Sequence, residues 1–337
     1  MKRRFDQYPN LVTMFFRRAR ENGESPFLWR KAGGSWSSIS WAEAARHVAA
    51  LAAGLRALGL ERGDRVVLVS ENRPEWCLAD LGIMAAGCVT VPTYVTNTER
   101  DHLHILEDSG AAAVIVSTDK LARTLLPAVL RSNAARHLIS MEPLRAPPQG
   151  GDLSFHRWDA LLETEASVEA MEADAEAGMG RHDLACVIYT SGTGGAPRGV
   201  RQHHGAILLN VEGCIDIIAN DFSWDEEEVF LSFLPLSHAY EHSGGQFLPI
   251  GLGGQIDYAD NHGGGPAPVR GAARAHLERH RKAGRARAQA ARPGARARRE
   301  GSERRPFGPR SADGLRARKD AAAQGAQALR RAAEGAC

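Results

Sequence analysis

Short apolar runs alternate with longer amphipathic segments through the first half of the chain. Four of these runs are bounded by polar residues and predict strands: DRVVLVS (64–70), CVTVPTY (88–94), AAAVIVST (111–118) and RHLIS (136–140). Because they are almost continuously apolar, they are typical of strands that helices cover on both faces of a parallel sheet.

The segments between these strands have the start and stop signals of helices. An Ala/Leu-rich helix is predicted after Ser40, a favourable N-cap residue, with Gly59 as its stop. Residues 74–87 begin with a proline suited to a first helical turn, and Thr98 opens a stretch that resembles a capping box. Residues 119–133 are also predicted to be helical. Strands and helices that alternate in this way predict a doubly wound α/β fold with a parallel sheet.

The same pattern continues to residue 260. The sequence predicts a loop at 143–157, an acidic helix at 158–177, a strand at 184–190, a helix at 205–220, a strand at 228–236 and a last strand within 246–259. These elements extend the doubly wound α/β domain but leave it incomplete.

The pattern stops at residue 261. Residues 261–337 contain 21 Ala, 17 Arg and 11 Gly and have a net charge of +13, whereas residues 1–260 have a net charge of −11. The overall charge of +2 therefore sums two unlike parts. The tail has only five large apolar residues, too few to offset the entropy of ordering it. We predict a partial domain over 1–260 and a disordered basic tail over 261–337.

Other features limit the class of protein. The chain has no run of about 18 apolar residues of the kind that spans a membrane, and the segment MKRRFDQYPNLVTMFF lacks the apolar core of a signal peptide. The five cysteines are scattered and form no CxxC pair, which favours reduced thiols over a disulfide framework. These features favour a cytoplasmic protein.

The stretch with the clearest chemistry is YTSGTGGAPRGV, at 189–200, which is predicted to lie between a buried strand and a helix. Its glycines allow backbone N–H groups to approach an anion, Thr190, Ser191 and Thr193 add hydroxyl donors, and Arg198 adds a fixed positive charge. It is neither a Walker A loop nor a GxGxxG loop. The residues predict a polyphosphate-binding loop, with an ordinary glycine-rich turn as the alternative.

This stretch resembles the YTSGTTGxPKGV signature of the AMP-forming adenylating enzymes, which include acyl-CoA synthetases. A second stretch, LPLSHAYE at 234–241, is similar to the LPLxHxxE stretch of the long-chain fatty acyl-CoA synthetase branch. The segments from WSSISWAEAARHV to ENRPEW and the segment AAGCVTVPTY also resemble that branch. The resemblance runs from about residue 10 to about residue 260 and implies the large N-terminal domain of such a synthetase.

The resemblance implies nucleotide-binding roles for eight residues. The loop residues that would hold the β- and γ-phosphates of ATP are Thr190, Ser191, Gly192, Thr193, Gly194, Gly195 and Arg198. His238 would lie near the adenylate and the acyl-binding pocket, although a packed histidine near a helix start is the alternative. Two positions depart from the family pattern: Arg198 replaces the usual Lys, and Gly194 replaces a Thr and its hydroxyl donor.

The reaction that the resemblance implies has two steps. A fatty carboxylate attacks the α-phosphorus of Mg-ATP to give an acyl-adenylate and pyrophosphate, and the thiol of CoA then displaces AMP. ATP, Mg²⁺ and CoA are therefore the expected cofactors and co-substrates, and a long-chain fatty acid is the expected substrate. Such a lipid substrate is consistent with peripheral contact with a membrane, whereas a nucleic-acid partner is not expected.

Several family motifs have no counterpart in this sequence. It contains no stretch that resembles YGxTE or YxTGD, and no small C-terminal domain with a catalytic Lys, so we assign neither a catalytic residue nor a metal ligand. We expect a truncated synthetase without activity, whose tail arises from a frameshift near residues 260–264. The alternative is a non-catalytic ATP-binding fragment with a genuine basic tail that binds nucleic acid or anionic lipid.

A zinc hydrolase is a further alternative. The stretch from His238 to His242 matches HxxEH, in which two histidines hold zinc and the glutamate, here Glu241, acts as a base. This alternative needs a third, carboxylate ligand from a helical site downstream, where the predicted tail offers no ordered candidate. The synthetase resemblance explains the same residues without zinc.

Overall fold

The computed structural model describes residues 5–32, 35–147, 152–190, 196–221 and 229–258. The predicted basic tail at 261–337 lies outside the described residues and stays a prediction. The strands are β1 (Pro26–Ala32), β2 (Ser35–Ser40), β3 (Arg65–Val69), β4 (Val89–Thr93), β5 (Ala113–Val116), β6 (His137–Ser140), β7 (Ser154–Arg157), β8 (Leu184–Thr190), β9 (Arg198–His203), β10 (Val229–Ser232) and β11 (Gln255–Tyr258).

Helices connect most of these strands. They are α1 (Leu11–Asn22), α2 (Trp41–Ala57), α3 (Pro74–Ala85), α4 (Glu99–Ser109), α5 (Asp119–Arg131), α6 (Trp158–Leu162), α7 (Val168–Gly178), α8 (His204–Asp221), α9 (Ala239–Glu241) and α10 (Leu248–Leu252). A π-helical turn, His242–Phe247, joins α9 to α10. No helix in the described part of the chain is both long enough and apolar enough to cross a membrane.

The larger sheet has the strand order β7-β6-β5-β3-β4-β8-β9. Its strands are parallel apart from β9, which runs antiparallel to β8. Successive side chains of a strand point to opposite faces of its sheet. In β3, Val66 and Leu68 join the hydrophobic cluster on one face, while Val67 and Val69 join the cluster on the other. Both faces are therefore buried, and the predicted doubly wound α/β fold is confirmed.

The smaller sheet has the order β10-β11-β1-β2 and is mixed. Strands β1 and β2 form an antiparallel pair, whereas β11 runs parallel to both β1 and β10. The sheet thus joins the beginning of the described chain to its last described strand. Phe27 of β1 and Ile256 of β11 belong to the same hydrophobic cluster as Trp41 of α2.

The predicted helix starts are confirmed where a side chain caps the helix. The Ser40 side chain accepts a hydrogen bond from the Glu43 N–H at the start of α2. At the start of α4, the Thr98 side chain and the Asp101 side chain cap each other's backbone N–H groups in a full capping box. Each cap satisfies an N–H group that the helix itself cannot pair.

Three elements differ from the predictions. The predicted loop at 143–157 ends in strand β7, which pairs with β6 at the sheet edge. The predicted single helix at 158–177 is two helices, because Ser167 caps a new helix by accepting from the Ala170 N–H. The segment after the glycine-rich loop is strand β9 before it becomes helix α8.

Candidate nucleotide and acyl site

The predicted phosphate loop connects two paired strands. Thr190 ends β8 and Arg198 begins β9, and these two residues lie opposite each other in the antiparallel register. Both are exposed. The loop residues Ser191, Gly192, Thr193, Gly194 and Gly195 lie outside the described residues, so their predicted roles stay predictions. The described geometry places one hydroxyl and one guanidinium at the mouth of the loop.

The sequence pattern did not predict the strand that follows this loop. The predicted helix at 205–220 is confirmed as α8, which begins at His204, but β9 lies between the loop and this helix. The partial positive charge of a helix N-terminus therefore does not act at the end of this loop. The sequence RGVRQH of β9 is mostly exposed and has no apolar alternation that would have signalled a strand.

The described ends of the loop, Thr190 and Arg198, lie at the edge of the larger sheet where ligands commonly bind in doubly wound folds. The chain passes from β3 to β4 on one side of β3 and then to β5 on its other side, so the strand order reverses at β3. Crevices at such reversals, outside the carboxyl ends of the strands, are the usual ligand sites. Thr190 ends the neighbouring strand β8, and Thr93 ends β4 with a buried hydroxyl that has no hydrogen-bond partner among the described residues.

His238 is exposed at the start of the short helix α9. Its Nδ1 accepts a hydrogen bond from the Tyr240 N–H at 3.2 Å. A neutral imidazole with an accepting Nδ1 carries its proton on Nε2. His238 therefore presents an N–H donor on its other side. The alternative interpretation, a packed histidine, is wrong because the side chain is exposed.

Two buried side chains hold the segment that leads to His238. The Asn72 amide donates to the Leu234 carbonyl oxygen at 2.5 Å, and its own oxygen accepts from the Leu236 N–H at 3.0 Å. From the other side, Glu241 accepts from the Ser232 hydroxyl at 2.8 Å and from the Phe233 N–H at 3.1 Å. Hydrogen bonds to the Asn72 amide and the Glu241 carboxylate thus hold the segment between β10 and α9 in place.

Glu241 is buried, which raises its pKa, and its carboxylate lies so close to position 245 that only a glycine fits there. The side chain is 4% exposed, and this desolvation raises its pKa. A Cβ atom at Gly245 would lie 2.5 Å from the Glu241 Oε1 atom, so the π-helical turn has a glycine where the carboxylate approaches it. Single π-helical turns are frequent at functional sites.

A buried ion pair lies next to this segment. His242 Nε2 donates to Asp80 Oδ2 at 2.9 Å, and the Gln246 amide donates to the same oxygen at 2.6 Å. Burial would lower the pKa of His242, but the Asp80 carboxylate outweighs it and the pKa rises to about 10. His242 Nδ1 also lies 3.9 Å from the Cys186 sulfur in β8. The ion pair therefore links α3 and β8 to the π-helical turn.

The zinc alternative receives no support from this arrangement. His238 is exposed, whereas His242 is 1% exposed and its two ring nitrogens face Asp80 and Cys186. Within the described ranges, no group of three or more His, Cys, Asp or Glu side chains could hold a metal ion. The three residues of the HxxEH motif have different environments. His238 is exposed, Glu241 is a buried acceptor for the Ser232 hydroxyl, and His242 forms the buried ion pair with Asp80.

Sequence reasoning missed Asn72 and Asp80. Asn72 lies just after a predicted strand, and Asp80 stands in the apolar run CLADLGIMAAG. A charged residue at a fully apolar helical position is the signal that would have marked Asp80. Its partner His242 is 162 residues away, and no local pattern identifies it.

Residues 15–272 match the protein family described as AMP-binding enzyme. This chain belongs to that family. The match contains every described part of the hairpin β8–β9, the segment held by Asn72 and the His238 donor. The predicted membership among AMP-forming adenylating enzymes is therefore confirmed.

Relatives of this AMP-binding enzyme are ligases for long-chain fatty acids. The chain is 33% identical over 233 residues to the long-chain-fatty-acid–CoA ligase FadD15 of Mycobacterium tuberculosis, an alignment that covers 69% of this chain and 37% of FadD15. It is 28% identical over 255 residues to the mouse long-chain-fatty-acid–CoA ligase 6, covering 70% of this chain and 35% of that ligase. The chain thus spans little more than a third of each relative.

Solved structures share the fold of this AMP-binding enzyme. A benzoate CoA ligase from Burkholderia xenovorans superposes with a TM-score of 0.63 at 24% identity, over 80% of this chain and 48% of that one. Acetoacetyl-CoA synthetase from Streptomyces lividans gives a TM-score of 0.62 at 21% identity, over 74% and 38%. At these identities the likeness establishes the fold alone.

Proposed function

We propose that this chain supplies the nucleotide- and acyl-binding part of an ATP-dependent long-chain fatty acid–CoA ligase. The observation that carries the proposal is the position of the family's phosphate-loop sequence, at the mouth of the β8–β9 hairpin on the ligand-binding edge of the sheet. The 33% identity to a long-chain-fatty-acid–CoA ligase supports the choice of substrate class.

The described residues suit the charge changes of adenylate formation. Arg198 offers a permanent positive charge to the β- and γ-phosphates, and the Thr190 hydroxyl lies opposite it. Electrostatic donors fixed in advance stabilise the charge that moves onto the departing pyrophosphate. We propose that the Nε2–H of His238 donates to an oxygen of the carboxylate or the acyl-adenylate.

Magnesium accompanies ATP in the chemistry that the family suggests. Such a metal commonly binds through one or two carboxylates together with the substrate phosphates. Among the described residues, no group of three or more His, Cys, Asp or Glu side chains could hold a metal ion by itself. We assign no metal ligand and no step to a metal.

Transfer to CoA is the second part of the proposed reaction. Since this sequence contains no stretch that resembles YGxTE or YxTGD, we expect little or no acyl-CoA synthesis by the chain alone. Pyrophosphate release with ATP, a fatty acid and CoA measures this directly. Nucleotide binding without pyrophosphate release would favour the non-catalytic ATP-binding alternative.

Two variants test the assignment of the two donors. ATP contains the β- and γ-phosphates, whereas a non-reactive analogue of an acyl-adenylate lacks them but fills the acyl side. Loss of one charge-assisted hydrogen bond costs about 1.5–3 kcal/mol, or about 10- to 100-fold in affinity. We expect Arg198→Ala to weaken ATP by that factor and leave the analogue unaffected. His238→Ala should weaken the analogue and leave ATP unaffected.

The measurement is a calorimetric titration of each ligand into the wild type and both variants. Arg201→Ala is the matched control, because Arg201 is an exposed arginine of the same strand β9 but lies further from the loop. If Arg198→Ala and Arg201→Ala weaken ATP equally, the effect is one of general charge and the assignment of Arg198 is wrong.

A further inference from the structure

Helix α4 contacts both strands that lead into the phosphate loop. His104 donates from Nε2 to the carbonyl oxygen of Pro197, the residue directly before β9, at 2.8 Å. Asp108 accepts from the hydroxyl of Tyr189, the next-to-last residue of β8, at 2.6 Å. The two contacts therefore reach opposite sides of the same loop from one helix.

The two contacting residues lie on one face of a well-anchored helix. Residues four positions apart project from the same side of an α-helix, and His104 and Asp108 have this spacing. Leu106 lies on the opposite side and Ile105 on the flank of this face, and both are buried in the hydrophobic cluster. The capping box at Thr98 fixes the helix start. Helix α4 can thus serve as a rigid support for the loop.

The Tyr189 ring is held in place from several directions. Its edge meets the His104 ring with the centroids 6.2 Å apart and the planes at 85°. On β9, a Cβ at Gly199 would come within 3.1 Å of the Tyr189 ring and 2.8 Å of Val187. Burial and the Asp108 carboxylate both raise the pKa of Tyr189. The hydroxyl therefore keeps its proton and remains a donor to Asp108.

We propose that His104 and Asp108 are positioning residues that fix the mouth of the phosphate loop before the nucleotide binds. A loop whose ends are already held loses less conformational entropy on binding, and this gain appears as affinity. The inference rests on the proposed function for its ligand, ATP. The restraint on the hairpin itself is a property of the free protein.

The first measurement uses the free protein. Hydrogen exchange reports local opening of backbone hydrogen bonds. We expect His104→Ala to speed exchange of the amides of β9 while leaving those of β5 and β6 unchanged. His104→Gln should restore protection, because its side-chain N–H can donate to the same carbonyl oxygen. His137→Gln, which removes a partly buried histidine on β6, should leave β9 unchanged.

The second measurement is ATP affinity in the same variants. Loss of the neutral His104 hydrogen bond in His104→Ala should lower ATP affinity by about three- to tenfold. Tyr189→Phe removes a hydrogen bond to a carboxylate and should lower ATP affinity by at least as much. His104→Gln should stay within about twofold of the wild type. AMP lacks the β- and γ-phosphates, so its affinity should not change in any variant. A merely structural defect would weaken both nucleotides.

The outcomes separate the two proposals. If the wild type fails to bind ATP, the proposed function is wrong, whatever the exchange rates show. If β9 exchanges at the same rate in His104→Ala and the wild type, the positioning role of α4 is wrong, even when ATP binds. Equal losses of ATP and AMP affinity in His104→Ala would also overturn that role.

Discussion

The two faces of the larger sheet are stabilised by different means. On the face covered by α4 and α5, the cluster is built from branched apolar side chains such as Val67, Val114 and Leu125. The other face carries a larger apolar cluster. Beside it, however, lie a buried carboxylate, a buried histidine and their amide partner: Asp80, His242 and Gln246.

This difference separates two roles within one domain. Branched apolar residues stabilise a strand wherever they are buried, and small changes among them are tolerated. A buried ion pair contributes little net stability, but it strictly requires both partners. Here the pair and the neighbouring Glu241 hold the segment that presents His238. We infer that the polar side fixes the segment that presents His238, while the apolar side supports the sheet and carries α4, which contacts both ends of the phosphate loop.

The largest expected effect comes from breaking the buried ion pair. Asp80→Ala leaves the His242 charge without its carboxylate in a buried environment, which typically costs about 3–5 kcal/mol. The free energy of unfolding from denaturant titration measures this loss. Asp174→Ala is the control, because Asp174 pairs with Arg56 at a half-exposed position, where a pair contributes about 1 kcal/mol or less. Equal losses in the two variants would contradict the distinction between buried and surface pairs.

A cavity on the apolar side should have a slightly smaller effect. Leu125→Ala removes a fully buried side chain of α5, and such a change costs about 2–5 kcal/mol. Leu130 is 62% exposed on the same helix, so Leu130→Ala should be close to neutral. Denaturant titration of the two variants checks this. We also expect Leu125→Ala to leave ATP affinity unchanged, and a loss of binding would show that the packing of α5 also shapes the site.

The pH dependence of stability provides the smallest expected effect. The raised pKa of His242, about 10, means that the folded state keeps a proton that the unfolded state releases above about pH 6.5. The stabilisation is complete below that pH and is lost as the pH rises through 10, at no more than about 1.4 kcal/mol per pH unit. Asp80→Asn should reduce this slope between pH 7 and 9.

The comparison between wild type and variant removes the contributions of groups that do not interact with Asp80. Cys88, whose pKa burial raises to about 12, also makes the folded state less stable as the pH rises, but it does so equally in both proteins. Identical slopes in the wild type and Asp80→Asn would show that His242 does not titrate as the ion pair requires.

Local signals predicted much of this fold because they act within a few residues. The runs that became β3 and β5 are apolar at every buried position, and the Ser40 and Thr98 caps lie next to the helices that they start. Strand β9 could not be predicted in this way, since its exposed residues become a strand only by pairing with β8.

The same distinction applies to the candidate site. The sequence predicts Arg198 and His238 through recognisable stretches of residues, and the structure places both at exposed positions. The residues that support them are far away in the chain: Asn72 contacts a segment 162 residues later, and His104 contacts Pro197 across 93 residues. Such contacts depend on the folded topology, and no short motif encodes them.

The most direct test is a titration of ATP into the wild-type chain and into Arg198→Ala. The account predicts saturable binding with one ATP per chain, and affinity that falls by about 10- to 100-fold when the guanidinium is removed. Absence of ATP binding by the folded wild type, or equal affinity in the two proteins, would contradict the claim that the β8–β9 hairpin binds the nucleotide.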